Sequence, residues 1–176
     1  MLSYKLLFFL PLISTIFTYP FGVLLGEKTA QYFSSTLISI AAILSWFLFI
    51  SFSSSSSSEI IIPVLEWFFV SGQFFNWGIS VNSLTLLMLT LVLTVSALVH
   101  IYSIEYMSHD NSKVRFMTYL SLFTFCMVAL VVSDNLIQLF FGWEGVGLAS
   151  YLLIGFWHHK KLSLIHISEP TRPQAI

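Results

Sequence analysis

Five times along this chain the hydrophobic positions stop alternating with polar ones and run on for about the ~20 residues that a helix needs to cross a bilayer. The runs cover residues 6–25, 32–52, 84–104, 116–133 and 136–157, and Val114 lengthens the fourth. Pro11, Pro20 and Gly22 should bend or fray the first, which membrane helices tolerate. Between the second and third runs the pattern changes. The serines at 53–58 read as a flexible linker. PVLEWFFVSGQFFNWGISV then holds two short aromatic and β-branched runs parted by Ser71-Gly72-Gln73. With Gly72 free to take the positive φ of a tight turn, this predicts a β-hairpin over 64–81 at the membrane surface, the alternative being an interfacial aromatic loop. The expected fold is therefore an all-α membrane protein of about five transmembrane helices, with a surface β-hairpin between helices two and three.

The polar punctuation fits those helices. Asp110-Asn111-Ser112 should turn the chain into the fourth. Asn135 and Gln138 have capping-box spacing for the fifth, which makes Asp134 a neighbour of the cap rather than a chemical group. The first run, from MLSYKLLFFLPL onward, is longer than the ~7–15 residue core of a secretory signal, so it reads as a retained helix.

Composition narrows the class. Of 176 residues 57% are hydrophobic and only 9% are charged, against about 25% in soluble domains. A net charge of −1 without a basic patch offers no surface for nucleic acid, so the expected surroundings are lipid. Lys28, Lys113, Arg115, Lys160 and Lys161 fall on one side of the predicted topology and Lys5 alone on the other. By the positive-inside rule the N-terminus faces away from the compartment of synthesis.

One residue breaks the apolar pattern. Glu144 is the only acidic side chain deep within a long hydrophobic run. A carboxylate at mid-bilayer costs on the order of 3 kcal/mol on insertion scales, so such a residue points to proton or ion transfer. The competing reading is a neutral glutamate that serves only packing. On a helix it shares a face with Phe140, Phe141, Gly147, Leu148 and Tyr151, so a charged partner must come from another helix. Gly145 and Ala149, with Gly142 and Gly147, should let that helix approach closely.

Other candidates carry less. His100, near the basic end of helix three, is a weak relay candidate and reads first as an interfacial histidine. His158-His159-Lys160-Lys161 reads as a flanking anchor rather than a metal site. Cys126 reads as a small buried hydrophobe. Without a dinucleotide fingerprint, a phosphate loop, CxxC or a haem ligand pair, no cofactor or metal is expected in this chain.

These residues also carry a resemblance. LFFGWEGVGLASYLLIGFW, with LVHIYSIEYMSHD, RFMTYLSLFTF and DNLIQLF, resembles the NADH dehydrogenase subunit 5 family, the antiporter-like membrane subunits of respiratory complex I. The likeness covers about residues 1–161, and GWEGVG is closer to mitochondrial members than to plastid ones, which tend to read FWELVG. Asn82 stands where the family often has aspartate, which removes any charged role there. The resemblance implies a multi-pass subunit of the mitochondrial inner membrane, with its N-terminus on the intermembrane-space side. It implies proton translocation coupled to distant quinone reduction, with other membrane subunits of the complex as partners. NADH, flavin, iron–sulfur clusters and ubiquinone would be held elsewhere in that complex. Glu144 would be the helix-five glutamate that pairs with a lysine on a later helix. A multisubunit cation/proton antiporter of the same ancestry is the alternative, and a membrane scaffold is a third.

Beyond Lys161 the character changes. LSLIHISEPTRPQAI, residues 162–176, looks like the translation of a transposase-type sequencing-library adaptor joined to a longer gene, the alternative being a divergent tail. No function is expected of it.

Overall fold

The computed structural model describes residues 1–53, 59–70, 73–110 and 112–157. Five helices and one hairpin follow in the order α1 (Leu2–Leu25), α2 (Glu27–Ser53), β1 (Ile60–Val70), β2 (Gln73–Val81), α3 (Ser83–Tyr106), α4 (Lys113–Val131) and α5 (Leu136–Ile154). All five helices are long and apolar enough to cross a membrane. Ser53, expected to open the linker, instead ends α2. The other linker serines at 54–58, the Ser71-Gly72 turn and everything after Trp157 lie outside the described residues, and with them the anchor and tail readings.

Helix ends differ from the apolar runs for physical reasons. An apolar run marks only the part that lipid demands, whereas the hydrogen-bond ladder of α2 continues back through Lys28 and Glu27. Gly26, at φ 98°, makes the entire turn between α1 and α2, a conformation that only glycine adopts freely. α1 runs unbroken through Pro11 and Pro20, without the expected fraying. α5 stops at Ile154 rather than 157, because residues 155–157 turn and the Trp157 indole donates to the Asp110 carboxylate at 2.8 Å. The hairpin is antiparallel as expected, but its first strand begins at Ile60 and not 64.

Small and polar residues share the interior with a hydrophobic core, and the outside is large and apolar. α2 buries Ala30, Ser34, Ser35, Ala41, Ala42 and Ser45 while exposing Ile43, Trp46, Phe47 and Ile50. Lipid gives apolar side chains no reason to hide, so membrane helices pack through residues that let backbones approach. α1 lies on α2 and α4, α2 on α3, and α3 on α4, with a core including Phe8, Ile38, Leu86, Leu93 and Val128. α5 is different. Its principal neighbour among the described elements is α4.

The hairpin is fastened at one end of the bundle. Ser80 donates its N–H to the Val132 carbonyl at 2.9 Å, and Asn135 donates its side-chain amide to the Asn76 carbonyl at 2.9 Å. At the opposite, basic end, Lys113 pairs with Glu27 at 2.8 Å.

Candidate functional site

α5 begins at Asn135, whose side chain accepts from the Gln138 N–H at 2.9 Å as an N-cap should. The reciprocal half of the expected capping box is not made. Instead the fully buried Gln138 amide donates to the Gly78 carbonyl at 2.9 Å and accepts from the Gly78 N–H at 3.2 Å. A primary amide presents one donor and one acceptor side by side, as a peptide strand does, so it can pair with β2 from outside the sheet. Asn82 caps α3 in the ordinary way, accepting from the Thr85 N–H at 2.8 Å.

A seam of small residues joins α5 to α4. A Cβ on Gly142 would stand 2.7 Å from the Leu130 backbone, and one on Gly145 would stand 2.7 Å from the Cys126 sulfur. Ala149 is fully buried in the same line. Cys126 is thus a packing residue, as expected. Gly147 is not part of the seam, for a Cβ there would meet open space. The reason is rotation. At about 100° per residue, positions 142, 145 and 149 share one side of the helix, and 144 and 147 do not.

Glu144 consequently lies on the exposed side of α5, with Phe140, Phe141, Leu148 and Tyr151 exposed beside it. Among the described residues no cation stands within ion-pair distance of its carboxylate, the recorded pair being Lys113–Glu27.

His100 is placed otherwise than the sequence suggested. It is not interfacial but wholly buried between the helices. Its Nδ1 lies 2.8 Å from the Ser96 carbonyl, which can only accept, so Nδ1 carries the proton. Nε2 is therefore the acceptor, and the Ser121 hydroxyl donates to it at 3.2 Å. Ser121 also meets Ser34 at 2.8 Å and Ser14 at 2.9 Å, while Ser14 donates to Ser34 at 3.1 Å. On the other side of the ring, Ser96 hydrogen-bonds Thr124. The sequence reading passed over these hydroxyls. Their signal was helical spacing: Ser14 and Thr18, Gln31 and Ser34, Ser96 and His100, Ser121 and Thr124 each recur at three or four residues inside an apolar run. Glu144 and His100 are not brought together. The first is on α5's open side, and the second is in the core of the other four helices.

These features define a multi-pass membrane protein that keeps a polar core and leaves one carboxylate on an unpacked helix side. Comparison with known proteins narrows the class. Residues 67–117 match the family model described as NADH-ubiquinone oxidoreductase (complex I), chain 5 N-terminus. Residues 133–165 match the one described as NADH:quinone oxidoreductase/Mrp antiporter, TM. The chain is 47% identical over 144 residues to NADH-quinone oxidoreductase subunit L of Rhodobacter capsulatus, covering 78% of this chain and 20% of that protein. It is 46% identical over 156 residues to NADH-ubiquinone oxidoreductase chain 5 of Arabidopsis thaliana, covering 88% and 23%. For subunit L of Rickettsia conorii the identity is 45% over 152 residues, covering 86% and 23%. Over these residues the chain belongs to the complex I chain 5 family of antiporter-like membrane subunits. It spans about a fifth of the length of these relatives.

Proposed function

We propose that this chain acts within a proton-translocating membrane subunit of an NADH:ubiquinone oxidoreductase, in the mitochondrial inner membrane with its N-terminus on the intermembrane-space side. Glu144 is the proton-relay residue of this reading. The observation that carries it is the carboxylate on the open side of α5, inside the segment that matches the antiporter-type family model. A lysine arriving on that side from a further helix would form an ion pair with the carboxylate, and a proton coming or going nearby would make or break that pair and let the carboxylate pass charge onward. Redox centres and quinone belong to other parts of the complex, whose membrane subunits are the partners.

The test is Glu144→Gln in the full-length subunit of the assembled complex. The amide keeps the shape and removes the exchangeable proton. Proton uptake per quinone reduced should fall. Normal uptake with normal assembly would favour the scaffold reading. A second reading, a subunit of a multisubunit cation/proton antiporter, is favoured by the name of the second family model. Co-purification with NADH-oxidising activity supports the first reading, and sodium/proton exchange without it supports the second. Residues 1–176 alone, reconstituted in liposomes, should show no NADH- or quinone-dependent uptake, because among the described residues the carboxylate has no cation beside it.

A further inference from the structure

The polar core of α1–α4 is more than a set of satisfied hydroxyls, because its hydrogen bonds can be given directions. Nδ1–H of His100 must point to the Ser96 carbonyl, so Ser121 must donate to Nε2. Having spent its proton there, Ser121 accepts from Ser34, which accepts in turn from Ser14. Beyond the ring, Thr124 donates to its own helix at the Leu120 carbonyl at 3.0 Å, so Ser96 donates to Thr124. The Ser96 hydroxyl also lies 3.3 Å from Nδ1. The result is one line, Ser14→Ser34→Ser121→His100→Ser96→Thr124, that crosses from α1 through α2, α4 and α3. Each member is within hydrogen-bond reach of the next.

Both ends of the line lead somewhere. Ser96 and Thr124, with Ser150, are the polar residues lining an otherwise apolar groove of about 430 Å³ between α3, α4 and α5. At the other end Gln31 is buried one turn from Ser34, and its Nε2 meets no partner among the described residues. A buried amide donor ordinarily has a protein or water partner, so this orphan marks a place for an ordered water. One turn further on, Glu27 lines a second groove of about 290 Å³ at the basic end of the bundle.

We propose that this line is a proton wire, separate from Glu144, linking the Gln31 end of the α1–α2–α4 core with the groove between α3 and α5. It rests on the reading of the subunit as a proton translocator. A proton arriving at Ser34 bonds to its oxygen while the Ser34 hydroxyl proton moves to Ser121, and the Ser121 proton moves to Nε2. The Nδ1 proton crosses to the Ser96 hydroxyl oxygen, 3.3 Å away, the Ser96 hydroxyl proton passes to Thr124, and Thr124 gives up its own proton to a water molecule that reaches its hydroxyl from outside the core. One proton enters and one leaves. The imidazole is left as the Nε2–H tautomer, and it returns to the Nδ1–H form when the ring and hydroxyls reorient. Serine hydroxyls only pass protons, whereas imidazole accepts at one nitrogen and releases at the other, so His100 is the member that the wire cannot replace.

The decisive variant is His100→Gln in the full-length subunit of the assembled complex. A glutamine amide can accept from Ser121 and donate to the Ser96 carbonyl, so a purely structural role survives it, but it does not relay protons. The expected result is intact assembly and a clear loss of proton uptake per quinone reduced. Ser121→Ala, which removes the donor to Nε2 and little volume, should give the same loss and carries the test if His100→Gln does not assemble. Wild-type uptake in an assembled variant of either kind overturns the wire. Glu144→Gln in parallel tells the two ideas apart. If it loses uptake while His100→Gln keeps it, the wire alone fails; if it keeps uptake while His100→Gln loses it, the Glu144 relay alone fails; if both keep it with normal assembly, the translocator reading fails as well as the wire.

Discussion

The interior of α1–α4 and the outer side of α5 handle polarity in opposite ways. In the core, His100 is completely enclosed and its hydroxyl neighbours, buried but for the half-buried Ser96, bond to it and to one another. On α5, Glu144 carries the stronger polar group and is exposed among large apolar side chains. A group that its own bundle satisfies contributes to holding that bundle together. A group that its bundle leaves open contributes nothing to it and is available to what comes next. Burial and stability should therefore track His100, and dependence on further partners should track Glu144.

The strongest way to break this contrast is to remove the imidazole altogether. His100→Leu removes the buried bonds to Ser121 and to the Ser96 carbonyl, while Ser121 keeps Ser34 and Ser14 within reach. It should cost about 1–3 kcal/mol, at roughly 0.5–1.5 for each bond lost, with the lower part favoured in membranes. Reversible unfolding of the purified chain in detergent would measure it. Gly142→Val comes next. A Cβ at that place meets the backbone of Leu130, which cannot rotate away, so about 1–3 kcal/mol of overpacking strain is expected. Gly147→Val in the same assay should change little, because the space beside it is open.

Gln138→Leu should cost about 1–2 kcal/mol, since it leaves the Gly78 N–H and carbonyl without their partner. Hydrogen exchange should then accelerate in β2 while the helices keep their protection. A uniform loss of protection would instead mean that the hairpin holds the whole bundle. Glu27→Gln removes the ion pair with Lys113, whose partners are partly open to solvent, and should cost under about 1 kcal/mol. High salt should erase that difference. Glu144→Gln closes the series with no measurable change in unfolding, and a large change would mean that the carboxylate is structural.

Much of this architecture was legible in the sequence, and the limits of that legibility are physical. The five spans and the hairpin follow from apolar runs and from the glycine between aromatic stretches, because length and periodicity are local properties. The Asn135 cap was legible for the same reason. Gln138 was not. Its capping position is local, but the strand that captures its side chain lies 60 residues away. His100 was misplaced because its position near the end of α3 suggested water, and only the packing of α1, α2 and α4 around it turned that end inward. Glu144 stood out in the sequence as a charge in an apolar run. Which way it faces was decided by Gly142 and Gly145, whose small size said that some helix comes close without saying that it is α4.

The glycine seam has a consequence for how α5 can change over time. It fixes the azimuth of the helix, so the direction of Glu144 is set by residues two before it and one after it. Substitutions along the open side leave that azimuth alone, whereas inserting or deleting one residue between Gly142 and Glu144 would swing the carboxylate by about 100°. The stretch should therefore accept wide variation in side chains and almost none in length. α5 behaves like a dial whose pointer is the carboxylate and whose stop is a pair of missing side chains.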